Sequence, residues 1–161
     1  MIMRNFQIIL FLVCLAVAAA SINPREAAAA GPHLSKGQTL YVPVYSNIFT
    51  APKEIPIHLA NIVAIRNTDM HNQIQVTAAD YYDTQGKLVK RYYQKPVVLA
   101  PLETIYLYLS ERDTEGGFGA NFIIRWQASR EVNAPLIECL MVGSPGRAFV
   151  SPGLIIDEAT K

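Results

Sequence analysis

The sequence predicts an all-β domain: an antiparallel β-sandwich, immunoglobulin-like in type, with a small β-barrel as the alternative. Three observations carry that expectation. From Gln38 onward apolar and polar side chains alternate with period two, the spacing of a strand with one buried face. Turn-forming residues punctuate the chain roughly every eight to twelve positions. Outside the N-terminal segment no stretch of useful length repeats with the helical period.

The elements follow in order. Leu40, Val42 and Val44 alternate with Tyr41, Pro43 and Tyr45, and Pro43, which lacks an N–H, marks an edge strand or its bend. Ile57, Leu59, Val63 and Ile65 share one face of the next strand, which ends at Asn67-Thr68-Asp69. Ile74, Val76, Ala78 and Tyr82 are expected to share an inward face, with Gln75 and Thr77 opposite. That phase carries Asp80 inward as well, where a bare carboxylate is costly. Either a bulge turns it outward, or one of Arg66, Arg91 and Arg125 meets it. Asp83-Thr84-Gln85-Gly86-Lys87 is a tight turn with Gly86 available for a positive φ, and Leu88 to Tyr93 returns as the second arm. Val97 to Leu99 forms a short strand closed by Ala100-Pro101. Ile105, Leu107 and Leu109 point one way, Tyr106 and Tyr108 the other. Phe122, Ile124 and Trp126 point inward, with the single tryptophan as the natural core anchor. Leu136 to Val142 is apolar on both faces, as a central or covered strand would be. Phe149 to Ile156 closes the domain, interrupted by Pro152-Gly153. This makes eight or nine strands in one domain over residues 37–157.

The N-terminus has a different character. Arg4 precedes the uncharged apolar run Ile8 to Ala20, and Ala18-Ala19-Ala20 before Ser21 offers the small residues that signal peptidases cut. Residues 1–20 are therefore expected to be a signal peptide, with an uncleaved anchor as the alternative; a spanning helix needs about 20 apolar residues. Cys14 follows Val13 inside the apolar run, which is the wrong context for lipidation. Residues 21–36, rich in Ala, Pro and Gly, are expected to be a flexible leader. The expected location is periplasmic or secreted, with contact to a membrane only through the signal peptide during export.

Charge and cysteine content narrow the function classes. The chain carries 14 Lys+Arg and 13 Asp+Glu, and without Arg4 the two signs balance. That gives no electrostatic case for binding nucleic acid or an anionic membrane surface. Without Cys14, Cys139 stands alone, so an exported fold must be held by its core. Within Leu136-Ile137-Glu138-Cys139-Leu140, a buried apolar cysteine is favoured over a reactive thiol.

Four stretches carry a resemblance. Tyr41-Val42-Pro43-Val44-Tyr45-Ser46, Ile65-Arg66-Asn67-Thr68-Asp69, Asp80-Tyr81-Tyr82-Asp83-Thr84 and the block from Glu111 to Phe122 resemble an uncharacterised bacterial family of exported proteins, catalogued only as a domain of unknown function. The resemblance spans roughly residues 37 to 156 and implies a bacterial envelope protein with no assigned activity. More loosely, the alternation of strands with Asn-Thr, Tyr-Asp-x-x-Gly-Lys and Ala-Pro-x-Glu-Thr is similar to bacterial immunoglobulin-like accessory domains, an analogy of fold.

Catalytic constellations are not visible. His33, His58 and His71 show no metal-ligand spacing, and Ser144 in Gly143-Ser144-Pro145-Gly146 lacks a nucleophile elbow. No cofactor is expected. The segment Glu111 to Asn121 is the most unusual local composition. Its residues Glu111, Asp113, Glu115, Gly116, Gly117, Gly119 and Asn121 read as a glycine-bearing hairpin loop, with a calcium site as the functional alternative. The tyrosines Tyr41, Tyr45, Tyr81, Tyr106 and Tyr108 lie opposite the apolar faces of their strands and form a candidate interface, since tyrosine buries area with few rotors and keeps a hydroxyl for a partner. The expectation is a non-enzymatic exported β-sandwich that binds a protein partner or cell-envelope component. Its alternatives are an exported glycan hydrolase using two acids among Asp80, Asp83, Glu111 and Asp113, and a calcium-stabilised structural domain.

Overall fold

The computed structural model describes residues 33–50, 52–144 and 146–158; the expected signal segment, Cys14 and the leader up to residue 32 lie outside the described residues. The strands are β1 (Leu34–Pro43), β2 (Asn47–Phe49), β3 (Pro56–Arg66), β4 (Ile74–Tyr82), β5 (Leu88–Arg91), β6 (Val97–Leu99), β7 (Thr104–Leu109), β8 (Asn121–Asn133), β9 (Leu136–Gly143), β10 (Arg147–Pro152) and β11 (Leu154–Glu158). They form two antiparallel sheets. The first runs β11-β1-β8-β4-β5, with β6 also on β4; the second runs β10-β9-β3-β2, with β7 also on β3. A sandwich is thus what forms, with two sheets that keep separate edges.

The core lies where the period-two faces meet. Leu40, Val42, Ile74, Val76, Phe122, Ile124 and Trp126 of the first sheet pack with Leu59, Val63, Ile65, Leu107, Leu109, Ile137 and Met141 of the second in one buried cluster. The Trp126 indole N–H donates to Gln38 Oε1 at 3.2 Å, which satisfies its polar atom at depth. Gly86 takes the expected positive φ, 77°, in the β4–β5 turn. Asp83 Oδ1 accepts from the backbone N–H of Gln85 and Lys87, closing that turn.

β4 departs from the expected phase, and a bulge is the reason. Its register against β8 slips between Val76 and Ala78. Before the slip, Ile74 and Val76 point inward as the alternation predicts. After it, Ala79 and Tyr81 point inward, while Ala78, Asp80 and Tyr82 turn out. Tyr81, expected at the surface, is therefore buried and stacks on Phe122 with centroids 5.1 Å apart. Asp80 is both turned outward and met by an arginine: Arg125 Nη1 lies 3.3 Å from its Oδ2.

Three further differences have local causes. β1 begins at Leu34, so Leu34, Ser35 and Lys36 join the sheet instead of the leader, and the buried Ser35 hydroxyl donates to the Gly37 carbonyl. Pro43 sits in an interior strand, but β11 pairs only with Gln38 to Tyr41, so the missing N–H lies beyond that ladder. The final segment is two strands in different sheets. A Cβ at Gly153 would stand 3.0 Å from the Ile137 carbonyl oxygen and 3.2 Å from Leu40, so glycine lets the chain cross between the sheets here without crowding its neighbours.

Candidate interaction surface

β7 places Tyr106 and Tyr108 on the outer face of the second sheet, 69% and 56% exposed. Their partners across the sheet follow from the register. Tyr108 faces Ile62 on β3, Ile62 faces Leu140 on β9, and Leu140 faces Val150 on β10. One row therefore crosses four strands without a charge. The row beside it runs Ala60, Val142 and Ala148, and the row on the other side runs Tyr106, Ala64, Glu138 and Pro152. Arg66 Nε lies 3.5 Å from Glu138 Oε1 and marks the charged rim of this face. Tyr106, Tyr108, Leu140, Val142 and Val150 are exposed together. A contiguous apolar field with a polar rim is the arrangement that recognition surfaces use.

The first sheet presents a more polar face. Its outer row begins with Leu154, Tyr41 and Ile123 and ends with the charged Asp80 and Arg91. Beside it stand the Arg125–Asp80 pair, the Gln127 amide donating to Gln75 Oε1 at 3.1 Å, and the Thr77 hydroxyl donating to the Arg125 carbonyl. These groups satisfy one another and water.

The five candidate tyrosines therefore divide. Tyr106 and Tyr108 share one surface, Tyr41 lies on the other sheet, and Tyr81 is in the core. Tyr45 packs at 5.1 Å on Phe118 and lines a cleft of about 320 Å³ with Ile48, Leu59, Met141 and Phe149. The sequence reading missed Ile62, Leu140 and Val150 as members of the exposed face. For Leu140 the signal lies in the two-faced apolar run Leu136 to Val142, which predicts a central or covered strand. β9 is central, between β3 and β10, yet its outer side chains Leu136, Leu140 and Val142 are exposed.

The Glu111 to Asn121 loop is a clamp between the end of β1 and the β4–β5 turn. Val44 N–H donates to the Ala120 carbonyl and Ser46 N–H to the Gly117 carbonyl. The Thr84 hydroxyl donates to the Gly116 carbonyl and accepts from the Gly119 N–H, both at 2.9 Å. A Cβ at Gly116 would collide with the Tyr81 hydroxyl, and Gly117 has φ 72°, so the clamp requires both glycines. Asp113 Oδ1 accepts from the Glu115 N–H, a local turn bond. Asn121 is the first residue of β8 and is buried. Glu111, Asp113 and Glu115 do not converge: among the described residues no three His, Cys, Asp or Glu side chains gather as a metal site. The acids considered for hydrolysis are likewise dispersed into an ion pair at Asp80 and turn bonds at Asp83 and Asp113. His58, Glu111 and Ser144 line one open depression of about 610 Å³.

Two titratable groups stand apart from the surface. Burial pushes the Cys139 thiol up to about 12, and its Sγ lies 3.6 Å from Asn61 Oδ1, so it is an inert core group. Asp69 is held down at about 2, first by the His71 backbone N–H and then by that of Asn133. It joins the loop after β3 to the end of β8.

Among curated proteins none matches this chain. One solved structure, described as Crystal Structure of Thermotoga maritima 1070, is similar at 11% identity with a TM-score of 0.45, over 76% of this chain and 97% of that one. The profile of one sequence family, described as Protein of unknown function (DUF3124), matches residues 37–156, almost the whole of the paired-strand region, and the chain belongs to that family.

Proposed function

We propose that the protein is exported and acts without catalysis, binding a protein partner or cell-envelope component through the outer face of its second sheet. The observation that carries this reading is the uncharged row Tyr108, Ile62, Leu140 and Val150, which crosses four strands with Tyr108, Leu140 and Val150 exposed. Flat rigid rings beside aliphatic side chains lose little conformational freedom on contact, and the hydroxyls supply polar bonds at the rim. Periplasmic or extracellular placement rests on Arg4, the apolar run to Ala20 and the small residues before Ser21.

The double change Tyr106→Ser with Tyr108→Ser tests the binding claim. Folding should stay within about 1 kcal/mol of the parent, while retention on the native envelope fraction is lost. Severe destabilisation, or unchanged retention by a stable variant, contradicts the reading. Mass spectrometry of the cell-made protein tests the address: a chain beginning at Ser21 without lipid is expected, and one retaining residues 1–20 or carrying diacylglycerol contradicts it.

A further inference from the structure

We propose that the ribbon formed by β10 and β11 is a self-association edge, pairing two copies of this chain antiparallel about a twofold axis near Pro152 and Gly153. β10 shares Val150 with the end of the tyrosine row, but the pairing proposed here runs along the strand edge and through β11, and it does not depend on the reading given to that row. Among the described residues β10 ends the second sheet and β11 ends the first, and only Gly153 lies between them. Both sheets therefore stop along the same side of the sandwich. The Gly153 N–H donates to the Ile137 carbonyl, which sets the alternation of the β9–β10 ladder. Residues 147, 149 and 151 turn their backbone groups to β9, and Ala148 and Val150 turn theirs away.

An outer strand of a lone domain is ordinarily guarded by charge. β5 follows that rule with Lys90 and Arg91. The ribbon does not: from Ala148 to Ile156 it carries no charged residue, and Phe149, Val150, Leu154, Ile155 and Ile156 are all exposed. Its charges sit at its two ends, Arg147 at the start and Asp157 with Glu158 at the finish. Arg147 makes no ion pair among the described residues. Laid antiparallel on a second copy, the ribbon sets each Arg147 beside the acidic end of its neighbour and apolar side chains against apolar ones. A parallel alignment would set Arg147 against Arg147. The ribbon thus carries both halves of a charge-complementary contact, as a twofold interface requires. In that arrangement β10 of one copy continues into β11 of the other, so both sheets run on through the dimer.

Sedimentation velocity on the protein as the cell makes it, across about 1 to 200 µM, should show a reversible monomer–dimer equilibrium. Arg147→Asp alone and Asp157→Arg alone should each weaken dimerisation by about tenfold or more, and the two together should restore it to within about threefold of the parent. Ile156→Lys, at an exposed β11 position outside the tyrosine row, should give a monomer whose circular dichroism and melting match the parent, while Tyr106→Ser with Tyr108→Ser should still dimerise. A chain that stays monomeric over the whole range overturns the proposal. So does a dimer indifferent to the single charge reversals, one the double swap fails to restore, or one lost in the tyrosine variant.

Discussion

The outer faces of the two sheets are built on one core and differ in almost everything else. On the first sheet, Arg125 pairs with Asp80, Gln127 with Gln75, and Thr77 with the backbone, all within the face. On the second sheet, Tyr108, Ile62, Leu140 and Val150 form an uncharged row across the strands, with Ile62 half-buried and the other three exposed. The first pattern is what a solvated sheet needs to remain apart from other molecules. The second leaves apolar area in water, and its value is realised only when something covers it. Both faces rest on the same alternation of side chains, so the contrast stands or falls with the strand phases.

The largest effect expected from breaking that phase is at Trp126. Trp126→Ala should cost about 3 to 5 kcal/mol in denaturant melts, the range for emptying an aromatic core site. A loss below about 1 kcal/mol would mean β8 is inverted and its outward residues belong to the core. Next comes acid. Asp69 is linked to both sheets, accepting from His71 after β3 and from Asn133 in β8, and its carboxyl is lowered from 3.8 to about 2. A depressed folded-state value means the contribution is full above pH 4 and is lost as pH falls from 4 toward 2. Melting temperatures across that window should fall less steeply in Asp69→Asn, which removes the titration; an unchanged slope would show that other carboxylates govern acid unfolding.

Much of this architecture was legible because period two is a strong signal wherever one face is buried. Leu40, Val42, Leu59, Val63, Ile105, Leu107, Phe122 and Trp126 take the faces their spacing predicts. The failures lie where local geometry changes the count. One extra residue near Thr77 inverts the second half of β4, burying Tyr81 and releasing Asp80, and alternation cannot announce a bulge. The unfavourable burial of Asp80 was the one hint of it. The exposed face was harder to read. A strand apolar on both sides, such as Leu136 to Val142, looks the same whether a neighbouring layer of the chain or a separate molecule covers it. The glycines of the Glu111 to Asn121 loop were visible as turn residues, but the reason for Gly116 is the Tyr81 hydroxyl beneath it, a contact distant in sequence.

Smaller effects sharpen the contrast at the surface. Asp80→Asn should cost about 1 to 2 kcal/mol: Arg125 is half exposed, which weakens the pair, but the Asp80 side chain is only 13% exposed. A larger loss would show that the first sheet's outer face is load-carrying in stability and not merely solvated. Gly153→Ala should be worse than its small size suggests, because the added Cβ meets the Ile137 carbonyl oxygen at 3.0 Å. A melt matching the parent would show that the crossing between sheets can relax.

The most direct test of the binding face compares the two sheets in one experiment. A photo-activatable cross-linking residue is placed in turn at Tyr106, Tyr108 and Leu140 on the second sheet, and at Thr39, Ile123 and Arg125 on the first, in cells that make the protein at its native level. The account predicts discrete adducts to one partner from the second-sheet positions and none from the first. Adducts from the first sheet alone, or the same adducts from both, would contradict it.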